Sequence, residues 1–190
     1  FQLFAAEPDI AKPIAMTWDH LGRLWIAETV DYPNEKQPEG AGNDRIKLCE
    51  DTDGDGRADK FTVFADKLSI PTSLTAVAGG LVVHQAPDTL FLKDTDGDGK
   101  ADEKKHVFTG FGTSNVQGLL NCFRWRFDNR IELATSSVGG MVRHVRRDAV
   151  EDRAHLDLHA REPTSAAGRE LGGELVHPRV FFLRARRVGR

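Results

Sequence analysis

The sequence predicts an all-β protein, and three observations carry that prediction. Its apolar segments are short, and Gly, Pro, Asn or Asp fills the gaps between them, as expected of strands joined by turns. Several segments alternate polar and apolar residues, as in Arg45-Ile46-Lys47-Leu48-Cys49, the period of a half-buried strand. An acidic nonapeptide, Asp51-Thr52-Asp53-Gly54-Asp55-Gly56-Arg57-Ala58-Asp59, returns 43 residues later as Asp94-Thr95-Asp96-Gly97-Asp98-Gly99-Lys100-Ala101-Asp102. Strand-like sequence, not an amphipathic helix, flanks both copies.

In chain order, Phe1 to Pro13 is a lead-in segment punctuated by Pro8 and Pro13. Ile14–Trp18 and Leu24–Ala27 are strands around the turn Asp19-His20-Leu21-Gly22. Asp31 to Asp44 is a polar loop long enough to be functional. Arg45–Cys49 is a third strand, the first acidic loop follows, and Phe61–Ala65 is a fourth. The pattern then restarts with Ser73–Val77, a turn at Ala78-Gly79-Gly80, Leu81–His84 and Thr89–Leu92. The second acidic loop and His106–Phe108 close that unit. A third unit opens near Leu119 and runs through Cys122–Trp125, a turn at Asp128-Asn129 and Ile131 to Thr135.

Aligned turn on turn, Gly22 matches Gly79 and Asn129. Four short strands in a unit of roughly 50 residues is the grammar of a propeller blade. The architecture expected for residues 1–140 is therefore an incomplete β-propeller, two four-stranded blades and part of a third. A sandwich is the alternative, though exact internal repetition is not typical of one. Because each blade buries its faces against neighbours, the expectation is a piece of a longer protein that supplies the missing blades.

Each acidic loop sets carboxylates at offsets 0, 2, 4 and 8, with glycine at offset 5. Hard cations such as Ca2+ take six to eight oxygens, and a glycine permits the sharp bend. The candidate metal ligands are Asp51, Asp53, Asp55 and Asp59, then Asp94, Asp96, Asp98 and Asp102. The bidentate Glu of a helix–loop–helix site is missing, because Thr62 and Lys105 stand at position 12. The loops thus read as extracellular-type calcium loops completed by outside ligands or water. A plain Asp-Gly turn between strands is the other reading, but a turn does not need four mutually repelling carboxylates.

Charge divides the chain. Residues 1–140 carry 22 acids against 15 Lys and Arg, and residues 141–190 carry 7 against 11. The acidic excess in the first part is smaller than what the two loops contain, so it points to metal rather than to a basic partner. After Met141 there is no lysine, and eleven of the 17 arginines fall there. Residues 141–190 are expected to be an irregular basic tail or an altered reading frame, and no nucleic-acid partner is assigned to them. Cys49 and Cys122 make no disulfide framework and no covalent haem motif. No apolar run approaches the ~20 residues of a spanning helix.

Ala11–Asp19, Gly22–Glu28, Asp31-Tyr32-Pro33-Asn34, the paired acidic loops and Val83–Asp88 together resemble a known group. It is the N-terminal propeller of the exported proteins of planctomycete-type bacteria labelled membrane-bound dehydrogenase-like. At longer range it is similar to quinoprotein sugar dehydrogenases. The resemblance covers residues 1 to about 140. It implies an exported location, periplasmic, cell-surface or secreted, and oxidation of a sugar or alcohol with pyrroloquinoline quinone. It also implies helical repeats and a haem-c domain as electron acceptor, neither of which this chain contains.

Within that frame His84 ends a strand where sister units keep Ala27 and Ala134. Placed at a propeller mouth, it would act as a base, with Asp88 orienting it. Otherwise it is a strand-end histidine bonded to backbone. Glu28, Gln85 and Thr135 fall in register at strand ends and would ring the opening. Asn115, Gln117 and Asn121 would meet sugar hydroxyls, or cap turns. The alternative to an enzyme is a non-catalytic scaffold stiffened by calcium that binds glycan or protein.

Overall fold

The computed structural model describes residues 1–77, 79–135, 138, 140–145, 156–160 and 180–185. They form antiparallel sheets and one 3-10 turn, Val116–Gly118. The first sheet is the meander β1 (Pro13–Trp18), β2 (Leu24–Glu28), β3 (Asp44–Glu50) and β4 (Lys60–Leu68). The second is the meander β5 (Ser73–Val77), β6 (Gly80–Gln85), β7 (Asp88–Lys93) and β8 (Glu103–Phe111). The third begins with β9 (Asn121–Trp125) and β10 (Arg130–Ala134). β4 and β8 run longer than the sequence predicts, because pairing with β3 and β7 carries strand geometry through polar stretches such as Asp66-Lys67.

Beyond Ala134 the sequence predicts no further strand, and the structure has three. β11 (Gly140–His144) adds to the free edge of β8, making the second sheet five-stranded. β12 (Leu156–Ala160) and β13 (Val180–Ala185) complete the third sheet in the order β9-β10-β13-β12. Strands stand at those positions of the tail, Val145 follows β11 outside any strand, and the remaining tail residues lie outside the described ones.

Both faces of the first two sheets carry apolar side chains, and that sets how the sheets stack. Trp25, Ala27, Leu48 and Phe64 of the first sheet pack on Leu74, Leu81, Val83, Leu90 and Leu92 of the second. The other face of the second sheet, with Val77, Val82, Val107 and Phe108, packs on Phe123, Ile131 and Leu133 of the third. Leu81, Val82 and Val83 are each fully buried, as a strand covered on both faces requires. The first strands are neighbours in space, β1 beside β5 and β5 beside β9. The remaining face of the first sheet, Leu24, Ile26 and Cys49, meets Phe4, Ile10, Ala58 and Phe61.

The polar loop before β3 is pinned from within. The buried Asp44 carboxylate accepts from Thr29 Oγ1 at 2.7 Å, Val30 N at 2.6 Å, Asp31 N at 3.0 Å and Ile70 N at 2.5 Å. Asp31 in turn accepts from Asn43 N at 3.2 Å and Asn43 Nδ2 at 2.9 Å. Replacing Asp44 with Ala would strand three backbone amides, each costing about 1–3 kcal/mol when buried and unpaired. Urea unfolding of Asp44→Ala is expected to show a loss of at least ~3 kcal/mol, whereas Asp66→Ala at the exposed end of β4 should change little.

Candidate metal centre

The two acidic loops occupy the same place in their sheets. Asp51–Asp59 joins β3 to β4, and Asp94–Asp102 joins β7 to β8. Their internal hydrogen bonds repeat almost bond for bond. Asp51 accepts from Gly54 N at 2.7 Å and Gly56 N at 2.9 Å, and Asp94 from Gly97 N at 2.6 Å and Gly99 N at 2.8 Å. Asp53 accepts from Asp55 N at 3.1 Å, and Asp96 from Asp98 N at 3.2 Å. Asp55 and Asp98 accept from Arg57 N and Lys100 N, each at 2.8 Å. Asp59 and Asp102 hold Thr52 and Thr95 through both amide and hydroxyl. Gly56 and Gly99, the offset-5 glycines, take φ +86° and +85°, a bend that side chains with Cβ resist.

In the first loop one oxygen from each of Asp51, Asp53 and Asp59 lies within 4.8 Å of the others. In the second the converging set is Asp94, Asp96 and Asp98. Asp55 and Asp102 stand outside those sets and serve loop hydrogen bonds. Burial raises the Asp51 carboxyl, but the Gly56 and Gly54 amides outweigh it, so Asp51 ionises below the usual carboxylate range. Asp94 is held low first by the Gly97 and Gly99 amides.

The residues expected around a channel mouth are placed otherwise. His84 is buried, not displayed, and this corrects its assignment to a mouth. Its Nδ1 meets Thr89 Oγ1 at 3.1 Å, and its Nε2 has no hydrogen-bond partner. Phe111 sits edge-on at 4.8 Å and Phe123 at 6.4 Å. Burial pushes its pKa down to about 3, so the ring is neutral near pH 7. Asp88 does not orient it, because its carboxylate lies 3.6 Å from His106 Nδ1. His106 Nε2 also meets Glu39 at 3.2 Å, a surface chain the sequence reading missed.

Glu28 is likewise buried and committed. It pairs with Arg45 at 2.5 Å and Lys47 at 3.1 Å and accepts from Ala11 N at 2.8 Å. Gln85 is buried, with its Oε1 accepting from Ser69 N at 2.8 Å. Asn115 caps the 3-10 turn through Gln117 N at 2.9 Å, its turn-capping alternative. Thr135 is half-buried at the end of β10. Gln117 and Asn121 do come together, on an open groove of about 870 Å³ bordered by the first strands β1, β5 and β9. Lys12, Tyr32 and Arg124 share it. Cys49 is buried, while Cys122 is exposed.

This fold and these loops define an all-β protein of repeated antiparallel sheets, the first two each with an acidic loop between their third and fourth strands. The chain belongs to the family described as Domain of unknown function (DUF7133), whose model matches residues 1–170. The match runs past Met141. No curated protein and no solved structure matches the chain. Among the described residues no helix is long and apolar enough to cross a membrane.

A buried neutral histidine has a signature in pH. The folded state resists protonation until about pH 3, whereas an unfolded histidine takes its proton near 6.5. Stability from this group is full above pH ~6.5 and falls by up to ~1.4 kcal/mol per pH unit below it. Denaturant unfolding from pH 7 to 4 should therefore show a shallower decline for His84→Leu than for the parent chain.

Proposed function

We propose that the chain is a calcium-stabilised β-propeller segment that acts as a non-catalytic scaffold of an exported protein. The observation that supports this most is the duplicated loop: one set of hydrogen bonds, in one position of two successive sheets, gathering three carboxylates each time. Carboxylates that close repel one another, and a divalent cation reverses the sign of that term. Asp at positions 1, 3, 5 and 9, glycine at 6, and the position-7 carbonyls of Arg57 and Lys100 fit a calcium loop. Without a position-12 Glu, water completes the shell, and affinity falls in the extracellular range of about 10⁻⁴–10⁻³ M. The propeller reading draws on the stacked meanders and on the neighbouring first strands.

The groove favours a second reading of what such a scaffold carries. Lys12, Arg124, Gln117, Asn121 and Tyr32 suit a ligand that is anionic or rich in hydroxyls, such as a glycan. The quinone-dependent oxidation of a sugar or alcohol, with a haem-c domain as acceptor, would use the same groove. His84 lends it no support, since the ring is sealed between sheets.

Thermal unfolding in Ca2+ tests the first reading. At a hundred times the dissociation constant each site should add about 2.7 kcal/mol, with Mg2+ adding less. Asp51→Asn and Asp94→Asn should each remove about half of the gain, and the double variant nearly all. No rise in Tm at 10–100 mM Ca2+ rules the calcium scaffold out.

A further inference from the structure

The lead-in segment repeats a strand. Phe1-Gln2-Leu3-Phe4-Ala5 has the pattern of Phe61-Thr62-Val63-Phe64-Ala65 in β4, identical at the first, fourth and fifth positions and aliphatic at the third, Leu3 and Val63. Its contacts repeat too. Phe4 O accepts from Ala58 N of the first acidic loop at 2.8 Å, and Phe64 O accepts from Ala101 N of the second at 2.7 Å. Ala58 and Ala101 are the same position of the repeat. A Cβ built on Gly56 would meet Gln2, and one built on Gly99 would meet Thr62. Phe4 packs on the Leu24 and Ile26 face of the first sheet, as Phe64 packs on the Leu81 and Val83 face of the second. Residues 2–4 therefore stand to the first sheet as residues 62–64 of β4 stand to the second.

β4 is the outer strand of a sheet, and that sheet covers its neighbour. Residues 1–5 pair with no strand among the described residues, and Leu3 is 59% exposed. The face behind them is only partly covered. The register Met16↔Ile26 and Trp18↔Leu24 puts Met16 and Trp18 on it, and they remain 69% and 51% exposed. Of their counterparts at the later interfaces, Leu74 and Phe123 are buried and Ala76 is half-buried, while Trp125 stays 45% exposed. Trp125, the counterpart of Trp18, donates its indole N–H to Ala76 O of the preceding sheet at 3.1 Å.

We propose that residues 1–5 are the outer strand of a further sheet that docks on this face. Its partner is an antiparallel sheet of three strands, apolar on the docking side, with the edge of its third strand unpaired. The repeat itself names the occupant, because the equivalent face of the second sheet is covered by a sheet of this kind. The third sheet of a second copy fits less well, since β12 already fills its outer place. The inference rests on the stacking of the sheets and not on bound calcium.

The test extends the full chain. Residues 70–103, carrying β5–β7 and the second acidic loop, are joined directly ahead of Phe1. This spaces Asp102 from Gln2 as Asp59 is spaced from Thr62. Amide hydrogen exchange is read in Ca2+ and in chelator, so that failure of the loops and failure of docking are told apart. Residues 3–5 should exchange roughly a hundredfold more slowly in the extended chain than in the parent. Leu3→Pro should abolish that protection, because the Phe4 carbonyl points to the loop and the Leu3 amide therefore points to the opposite edge, where proline has no donor. Exchange unchanged in Ca2+, added strands that stay unprotected, or protection that survives Leu3→Pro would each overturn the proposal. So would a parent chain that sediments as a dimer with residues 3–5 already protected, which assigns the face to a second copy.

Discussion

Burial on both faces is the constraint from which the rest of this structure follows. A strand such as Leu81-Val82-Val83 has no solvent side, so β6 cannot sit in a sheet with one wet face. Each sheet must then be sandwiched, and apolar area removed from water is worth about 25 cal/mol per Å². The Trp25–Phe64 edge contact at 4.7 Å and the Phe123–Ile131–Leu133 cluster are two successive products of that requirement. Polar groups survive in these layers only with partners. Glu28 has Arg45 and Lys47, Gln85 has the Ser69 amide, and Asp44 has four donors. His84 Nε2 is the exception among the described side chains, and its neutral ring makes that tolerable.

The acidic loops serve this stacking as well as their own turns. Backbone amides satisfy Asp51 and Asp94 from within the loop, which fixes the curl. The alanine two residues after the offset-5 glycine then reaches out to a neighbouring segment, Ala58 to Phe4 and Ala101 to Phe64. A loop stiffened by a cation would therefore hold more than its own hairpin. It would fix the register of one sheet against the outer strand of the sheet before it.

Much of this was legible in the sequence because it is local. Alternation in Arg45–Cys49 and the glycine turns located the strands through Ile131–Thr135, and the nonapeptide located both loops. What was not legible depends on which residue faces which. His84 looked exposed because it ends an apolar run, yet Phe111, far along the chain, closes over it. Of the alanines at the two sister positions, Ala27 is buried and Ala134 exposed, so the alignment alone did not fix the surroundings of His84. Glu28 read as a ligand-facing carboxylate until register set it opposite Arg45. Phe1–Ala5 passed as a lead-in because Pro8 follows so closely, although its kinship with Phe61–Ala65 was in plain view. β11 to β13 carry no turn or loop signal of the earlier kind, and pairing with β8 and β10 defines them instead.

The connectivity also separates the metal from anything the groove holds. β1 runs from Pro13 toward the Asp19 turn, and β3 runs from Asp44 to the first acidic loop. That loop and the Asp19 turn therefore share one end of the first sheet. Lys12, Pro13, Thr29 and Tyr32, which border the groove, belong to the other end. A strand advances about 3.3 Å per residue, so the length of β3 separates the two ends by roughly 20 Å. A cation in the loop is then out of reach of a ligand bound beside Lys12. Its contribution to any chemistry there would pass through the rigidity of the sheets, so a cation held in the loop would act structurally and not on a ligand in the groove.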